Sequence, residues 1–595
     1  MINKLFIIFL LIIGRTIIPQ TFFTRVTDTG DLNTSGAGFS SSWGDINNDG
    51  YPDLVKLEGS KVQLFTNNGD GSFTRIDYGH LVNTQFFQNS VVFGDYNNDG
   101  YLDIYVSNLG PGTPIQPGQP LSPQINFLYK NRGLPYYEFD LETNNGLDSD
   151  SNMTWTSSWV DYNNDGFIDL FVPGDQGDKD LFFVNNGDGS FTENDSISFL
   201  NPGEFSAAGS FTDLDNDGDQ DLLVVNYQGV NNELYRNELI ESGDPSFTKI
   251  ISGPVVTDND YDLAPSFGDY NNDGLIDIFI GTWIGNRNLL FRNNDNFNFT
   301  KVTGDPIVEQ TWTLAYTWID FNNDGYLDCF VANSQGQKNT LYQNNGNDSF
   351  SKVNETDAGD ILSSWGFTSG ASAADYDNDG DIDIFVPGEQ ASLFRNNVGS
   401  NNNWLIVSCK GTESNKLGIG TKIKIKAEVS NGNSVWQFRE IHGGPTGDRA
   451  QNNQRAHFGL GSAATIDSLI LKWPSGIRDI YTNVEINQFF TATEGNGTTD
   501  IQNNNQHIND FELYQNYPNP FNPITKISYK VNLGTDINLS VYNQLGELVE
   551  KHFNGYKEAG VHSAEFDGKD LASGIYFYSL TSEDFWECKK MILLK

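Results

Sequence analysis

Apolar residues in this chain come in short runs set off by polar turns. Val91-Val92-Phe93-Gly94 precedes one such turn and Leu102-Asp103-Ile104-Tyr105-Val106 follows it. Runs of this length, rich in Val, Ile, Phe and Tyr and bounded by Asn, Asp and Gly, predict antiparallel strands in a hairpin. A second pair comes next in each unit. After the first hairpin it runs Leu64-Phe65-Thr66-Asn67-Asn68, a Gly/Asp turn, then Phe73-Thr74-Arg75-Ile76, and its equivalents lie at Leu181 to Asn186 with Phe191-Thr192 and at Leu341 to Asn345 with Phe350-Ser351. Four strands in a unit that recurs every 50 to 66 residues make the size of a propeller blade. Seven units predict a seven-bladed β-propeller over 21–400. The seventh has a third strand at Leu393-Phe394-Arg395 but meets Asn401-Asn402-Asn403 with no fourth. Phe23-Thr24-Arg25-Val26 reads like Phe73-Thr74-Arg75-Ile76, so the N-terminal strand is expected to complete that blade. Closing the ring removes the exposed edges of an open array.

The turn inside each first hairpin carries the chemistry. It has the form Asp-x-Asn/Asp-x-Asp-Gly-x-x-Asp, seven times. At positions 1, 3, 5, 7 and 9 the first copy has Asp45, Asn47, Asp49, Tyr51 and Asp53, and the second Asp95, Asn97, Asp99, Tyr101 and Asp103. The third has Asp161, Asn163, Asp165, Phe167 and Asp169, and the fourth Asp213, Asp215, Asp217, Asp219 and Asp221. Asp269, Asn271, Asp273, Leu275 and Asp277 form the fifth, Asp320, Asn322, Asp324, Tyr326 and Asp328 the sixth, and Asp375, Asp377, Asp379, Asp381 and Asp383 the seventh. Alternating oxygen side chains, a glycine at 6 for the sharp turn and a carboxylate at 9 are how a chain wraps a hard cation. An EF-hand would place glutamate at position 12 between helices. Here position 12 is Lys56, Val106, Val172, Val224, Ile280, Val331 and Val386, so a strand follows. Asp-Gly also makes plain hairpin turns, but seven copies with the position-9 carboxylate point to metal. Up to seven structural Ca²⁺ ions are expected, each held at about 10⁻⁴ to 10⁻³ M, as in extracellular modules.

Charge and cysteine content narrow the partners. The formal charge is −43, from 78 acidic and 35 basic residues, and it stays strongly negative with seven divalent ions bound. Nucleic acid and anionic membrane are thereby excluded as main partners. Cys329, Cys409 and Cys588 are odd in number and far apart, indicating neither a disulfide framework nor a zinc cluster. Lys4 and the apolar run Leu5 to Ile13 match a signal-peptide core, with cleavage near Gln20, and no transmembrane span is expected.

Phe93-Gly94-Asp95, Phe267-Gly268-Asp269 and Trp43-Gly44-Asp45 resemble the FG-GAP, or VCBS-type, repeats of the integrin α-subunit propeller. The resemblance implies Ca²⁺ in the loop between first and second strands. It weakens before Asp161, Asp213, Asp320 and Asp375, where the preceding pair is not Phe-Gly. Lys422, Lys424 and Lys426 then alternate with Ile423 and Ile425, a strand with one basic face. Gly443-Gly444, His457-Phe458-Gly459-Leu460-Gly461 and Leu471-Lys472-Trp473-Pro474-Ser475-Gly476 follow, and the run 401–495 resembles the small β-rich ASPIC/UnbV domain of the cartilage acidic protein-like family. A linker is expected over 496–510. Residues 511–595, from Tyr514-Gln515-Asn516-Tyr517-Pro518-Asn519-Pro520 to Lys589-Lys590-Met591-Ile592-Leu593-Leu594-Lys595, resemble the C-terminal sorting domain of the type IX secretion system. The expected fold is thus all-β: signal peptide 1–20, propeller, module, linker and an immunoglobulin-like β-sandwich. What the last resemblance implies is Sec export, passage across the outer membrane with the type IX machinery as partner, and release or attachment at the cell surface.

Catalytic constellations are sparse. The histidines are His80, His442, His457, His507, His552 and His562, with only His80 in the propeller. His442 and His457 cluster in sequence with Arg439, Asp448 and Arg455, a cluster read as structural. Acids bound to calcium are poor general acids because the cation holds them ionised. Glycoside chemistry would need others, such as Glu204, Asp175 or Glu389, among which the sequence gives no ranking. First-to-second loops share one face of a propeller, so a ligand is expected on the other. That face receives Pro111 to Pro123, Gly174 to Lys179, and Trp283-Ile284-Gly285-Asn286-Arg287. An aromatic also lies eight residues before position 1 in five copies, at Phe87, Phe205, Tyr261, Trp312 and Phe367. Trp155, Trp283 and Trp312, with Arg287, are the candidates for contacting a sugar or a partner. The expected function is exported recognition or adhesion toward glycan or extracellular protein, without catalysis. A polysaccharide-acting lyase or hydrolase on a propeller scaffold is the alternative.

Overall fold

The computed structural model describes residues 21–33, 38–59, 61–76, 81, 86–111, 126–133, 138–147, 153–175, 178–196, 205–258, 261–283, 285–363, 370–388, 391–399, 402–430, 432–447, 449–500, 511–516, 518–531, 535–543, 548–557, 560–582 and 585–595. The expected signal segment 1–20, most of Pro111 to Pro123, and His80, Glu204, Phe367, Glu389, Asp448 and His507 lie outside them.

Seven sheets built of antiparallel strands follow in chain order, each strand pairing with the next, and Ala450–Gln451 adds a fifth strand to sheet 1, parallel to its first. Their first strands are Gly38–Gly44, Phe86–Gly94, Ser158–Val160, Ser206–Thr212, Asp262–Gly268, Thr313–Ile319 and Ser372–Ala374. Sheet 1 continues with Asp53–Glu58, Lys61–Asn67 and Phe73–Ile76, and sheets 2 to 6 repeat that order. In sheet 7 the outer strand is Phe23–Arg25, antiparallel to Ser392–Asn396 with Phe23 opposite Asn396. The N-terminal strand therefore fills the gap that its likeness to Phe73–Ile76 suggests.

Side-chain size explains the layering. Innermost strands crowd around the axis and carry small residues such as Ser40-Ser41-Ser42, Ala207-Ala208-Gly209 and Ser372-Ala373-Ala374, all buried. Second strands bring the bulk, with Leu54, Ile104, Phe171, Leu223, Phe279, Phe330 and Phe385 buried. The aromatic-glycine pair ahead of the loops has a packing role. A Cβ on Gly94 would come within 2.7 Å of the Trp159 indole, and one on Gly44 within 2.9 Å of Phe93. The glycine of one sheet thus makes room for the aromatic of the next. Where the glycine is replaced by Val160, Thr212 or Ile319, the aromatic two residues before the loop remains, at Trp159, Phe211 and Trp318, whereas sheet 7 has Ala373-Ala374 there.

Residues 403–494 form a module in the same compact unit as the seven sheets. Asn403–Lys410 lies between Ala456–Gly461 and Gln488–Thr493 in one sheet, and Lys422–Ser430 lies between Asn433–Glu440 and Ile466–Lys472 in another. Leu405, Ile423, Ile425, Phe458 and Trp473 form its core, which runs on into Val92, Tyr105, Trp159 and Leu170 of sheets 2 and 3. The expected basic face of Lys422–Ser430 is not simply solvated: Lys422 is buried, and Lys424 and Lys426 lie over the Phe438 and Trp436 rings at 5.5 and 5.6 Å. Residues 499–595 form a second compact unit. Within it, a sheet of Phe511–Leu513, Ile524–Val531 and Gly560–Asp567 and one of Leu548–Lys557, Thr535–Tyr542, Gly574–Ser582 and Phe585–Leu593 share a core of Ile527, Tyr529, Leu539, Val541, Tyr578 and Met591.

Candidate metal centre

Each acidic turn folds around its first aspartate. In the first loop, Asp49 N–H donates to Asp45 Oδ1 at 3.0 Å and Gly50 N–H to Asp45 Oδ2 at 2.8 Å, while Tyr51 N–H donates to Asp49 Oδ1 at 2.9 Å. Asp53, at position 9, accepts from Ile46 N–H at 3.0 Å and Asn67 N–H at 2.7 Å. The others repeat this plan. Asp375, for instance, takes Asp379 and Gly380 N–H at 3.0 and 2.9 Å, and Asp383 takes Asn396 N–H at 2.7 Å. Backbone donors thus hold the carboxylates facing one another. In the fourth and seventh loops, where position 3 is Asp, carboxylate oxygens of Asp213, Asp215 and Asp221 and of Asp375, Asp377 and Asp383 lie within 4.8 Å of one another.

Gathering carboxylates in a buried place is electrostatically unfavourable without a cation. Burial, then neighbouring carboxylates, pushes every position-9 aspartate well above the ordinary carboxylate range: Asp53, Asp103, Asp169, Asp221, Asp277, Asp328 and Asp383. At position 1, burial raises Asp95 to about 6, Asp161 and Asp269 to about 7 and Asp320 to about 8. Buried oxygens of Asp103, Asp213, Asp215 and Asp377 have no hydrogen-bond donor. An oxygen-only donor set with orphaned, mutually repelling carboxylates fits a hard divalent cation.

Two asparagine rings escaped the sequence reading. Position 4 is Asn in all seven copies, left-handed with φ between 53° and 64°. From there its Nδ2 donates to the position-6 glycine carbonyl of the next loop. The bonds run from Asn48 to Gly100 (2.9 Å), Asn98 to Gly166 (2.8 Å), Asn164 to Gly218 (3.5 Å) and Asn216 to Gly274 (3.2 Å). Asn272 to Gly325 (2.9 Å), Asn323 to Gly380 (3.5 Å) and Asn378 to Gly50 (3.1 Å) close the circle. The asparagine ending each third strand ties its sheet backward: Asn131 Nδ2 reaches Ile46 O at 2.9 Å and Asn67 Nδ2 reaches Tyr376 O at 2.7 Å. The first ring was visible as an invariant Asn at position 4 of the loop, and the second as an Asn closing each third-strand run, at a spacing from the loop that varies. Their partners, on neighbouring sheets, were not.

The module covers the loops. Arg455 donates to Gly50 O at 3.1 Å and to Asp45 Oδ2 at 3.5 Å, Asn415 to Asp161 Oδ2 at 3.4 Å, and Lys422 pairs with Asp213 while donating to Asn216 Oδ1 at 2.8 Å. Arg439, half-buried, feels the charges of Asp320 and Asp269, although burial lowers its pKa. From this cap, residues 443–447 and 449–453 run down the axis. They contact the innermost strand of every sheet: Ser40 Oγ to Arg449 O, Phe93 N to Gln451 Oε1 (2.7 Å), Trp159 N to Gly443 O (3.3 Å), Ser210 Oγ to Pro445 O (3.5 Å), Ser266 Oγ to Thr446 O (2.8 Å), Asn452 Nδ2 to Thr317 Oγ1 (2.7 Å) and Asn453 N to Ala373 O (3.0 Å). The His442, His457, Arg439 and Arg455 group is therefore part of a docking surface. Burial lowers His442 to about 4 and His457 to about 3, so both are neutral.

On the face away from the loops, the four ligand candidates differ. Trp155 is committed internally: its Nε1 donates to Asp175 Oδ2 at 2.7 Å and the Arg449 guanidinium lies 4.4 Å over its ring. Asp175 also accepts from Tyr227 OH, so its oxygens are engaged. Trp283 and Trp312 are half-buried and Arg287 is exposed.

Family models match three parts of the chain. FG-GAP-like repeats match 45–106, 161–224, 213–280, 269–331 and 320–386, ASPIC and UnbV matches 411–499, and a secretion system C-terminal sorting domain matches 515–594. Among curated proteins, cartilage acidic protein 1 of Homo sapiens is 27% identical over 271 residues, covering 43% of this chain and 39% of that protein. That of Xenopus tropicalis is 28% identical over 278 residues, covering 44% and 40%. The match thus spans about two-fifths of the length of these relatives. Solved structures align at low similarity: a Penicillium chrysogenum alpha-L-arabinanase complexed with arabinobiose (TM-score 0.32, 8% identity, 64% of this chain and 98% of that chain) and a Photorhabdus luminescens Tc holotoxin pore (0.30, 10%, 90% and 23%).

Proposed function

We propose, for a chain built of FG-GAP-like repeats, an ASPIC and UnbV domain and a secretion-system sorting domain, that it is a calcium-stabilised recognition module for glycan or protein outside the cell. Export itself follows from the sorting domain, which marks the protein as secreted or attached at the cell surface. Calcium would be held by the side chains at positions 1, 3, 5 and 9 and the carbonyl at 7 of each loop, from Asp45 to Asp53 through Asp375 to Asp383. Bound there, it would neutralise the carboxylates and tie each first hairpin. The chain's own residues do the rest: backbone N–H groups aim the carboxylates, and the position-4 asparagines link each loop to the next.

The observation that carries this reading is the position of the module. It covers the loops and fills the axis, so the loops are internal supports rather than a docking face. The open face, with Trp283, Arg287 and Trp312, is where an extended ligand can reach. Binding of the exported protein to a glycan array and to extracellular proteins in millimolar calcium tests this, repeated with Trp283→Ala and Trp312→Ala. Loss of binding in correctly folded variants is the expected result. Full retention would remove this face from the reading, and product release from a bound glycan would replace recognition with catalysis.

A further inference from the structure

The turn joining the second and third strands of sheet 5 is fixed to sheet 6. Thr311 N–H donates to Asn286 O at 3.1 Å, Asn288 N–H to Glu309 O at 3.2 Å, and Asn288 Nδ2 to Thr311 Oγ1 at 3.2 Å. Arg287 faces Gln310 across an antiparallel bridge. Gly285, at φ 78°, lies so close to Trp312 that a Cβ there would be 3.0 Å from its Nε1. This turn is preorganised, and it presents an exposed guanidinium.

Arg287 lines two adjoining grooves together with Gly304, one bounded by Lys352 and the other by Lys301. The acids nearby have partners of their own. Asp305 accepts from Ile307 and Phe350 N–H at 3.0 Å each, Glu309 accepts from Tyr342 OH at 2.6 Å and pairs with Lys352, and Lys301 pairs with Asp258. Among the described residues no carboxylate lies within ion-pair distance of Arg287. The planar fork of arginine suits bidentate capture of a carboxylate or sulfate, and the half-buried Trp312 indole packs against Gly285 of the same turn without lining either groove.

We propose that these grooves bind an anionic polysaccharide, with Arg287 on the uronate or sulfate group. This rests on the recognition reading above and names its ligand class. The strongly acidic surface would repel an anionic polymer elsewhere, so retention would depend on this site.

The test immobilises polygalacturonate, chondroitin sulfate, a neutral galactan and polyglutamate, and measures retention of the full exported protein in millimolar calcium. Arg287→Glu and Arg287→Lys are compared after thermal melts verify folding. Expected are retention on one or both acidic polysaccharides, and a loss of about tenfold or more in Arg287→Glu, the scale of a charge-assisted hydrogen bond. Arg287→Lys should recover part of it. Preference between the two acidic polymers tells uronate from sulfate. Equal retention of Arg287→Glu on the acidic polymers, or no retention of the wild type on either, overturns the inference. Retention on the galactan then leaves the recognition reading standing. Polyglutamate held as tightly as the polysaccharides would overturn the assignment to sugar.

Discussion

Removing calcium should lower the melting temperature of the 21–498 unit by an amount that the loops let us calculate. Five loops carry carboxylates at positions 1, 5 and 9, and two carry a fourth at position 3. With dissociation constants of about 10⁻⁴ to 10⁻³ M, each filled site at about 5 mM free Ca²⁺ contributes about 1 to 2.3 kcal/mol by mass action. Seven sites together give about 7 to 16 kcal/mol, as much as the whole stability of many domains. For about 480 residues the unfolding entropy is about 1.0 kcal/mol/K, so the shift is about 7 to 16 °C. Differential scanning calorimetry in calcium and then in EGTA measures it, with magnesium as a control because it dehydrates reluctantly and demands near-ideal octahedral geometry. The melting temperature should climb with the logarithm of free calcium. A melting temperature unchanged within a degree across that range would refute calcium as the occupant of these loops.

Acidity should act in opposite directions on the two forms. Burial lifts the loop carboxylates, with Asp95 at about 6 and Asp320 at about 8 in the metal-free fold. A raised folded-state value favours the protonated fold, so metal-free stability is present at low pH and lost as pH rises through about 6 to 8. Calcium takes the place of those protons, so its affinity should fall as pH drops from 8 to 6; melts of the metal-free protein and calorimetric titrations at both pH values check the two signs. Asn98→Ala should cost about 3 kcal/mol in urea unfolding, from the lost bonds to Gly166 O and from Lys416 N–H and an unfavourable left-handed alanine, whereas Asn98→Gly should cost about 2 kcal/mol because only the two bonds are lost. Arg449→Ala should cost about 0.5 to 2 kcal/mol and change the emission of Trp155, the ring beneath its guanidinium.

The repeat was legible because its determinants are local. Asp-x-Asn/Asp-x-Asp-Gly-x-x-Asp and the apolar runs beside it dictate a hairpin whatever surrounds them, and the likeness of Phe23-Thr24-Arg25 to Phe73-Thr74-Arg75 was enough to foresee the strand that closes sheet 7. The docking of the module was not legible, because it depends on which surfaces meet. Nothing in Gly443-Gly444 or Asn452-Asn453 announces that they meet the innermost strands of seven distant segments. Trp155 shows the same limit. Its type and place suited a stacking platform, but the residue that stacks on it is Arg449, almost three hundred positions along the chain.

Differences among the loops follow the charge that each must carry. The fourth and seventh have aspartate at positions 3 and 7, adding two carboxylates to an already crowded turn. In both, the third strand supplies an arginine: Arg236 pairs with Asp215 at 3.1 Å and with Glu241, and Arg395 with Asp377 at 3.0 Å and Asp379 at 2.8 Å. The fourth loop also receives Lys422 from the module, on Asp213. In three loops with asparagine at position 3, the same strand position holds uncharged Thr66, Val184 or Gln343, and in the other two Lys130 lies 3.8 Å from Asp99 and Arg292 is paired with Asp348, outside its loop. Extra acid in a loop is thus matched by a fixed cation beside it, which restrains the repulsion while leaving oxygens to face a metal. A cation supplied by the module to a loop also makes docking of the module and the charge state of that loop a single equilibrium. Filling the fourth loop with a divalent ion must therefore alter how strongly Lys422 holds the module against sheet 4.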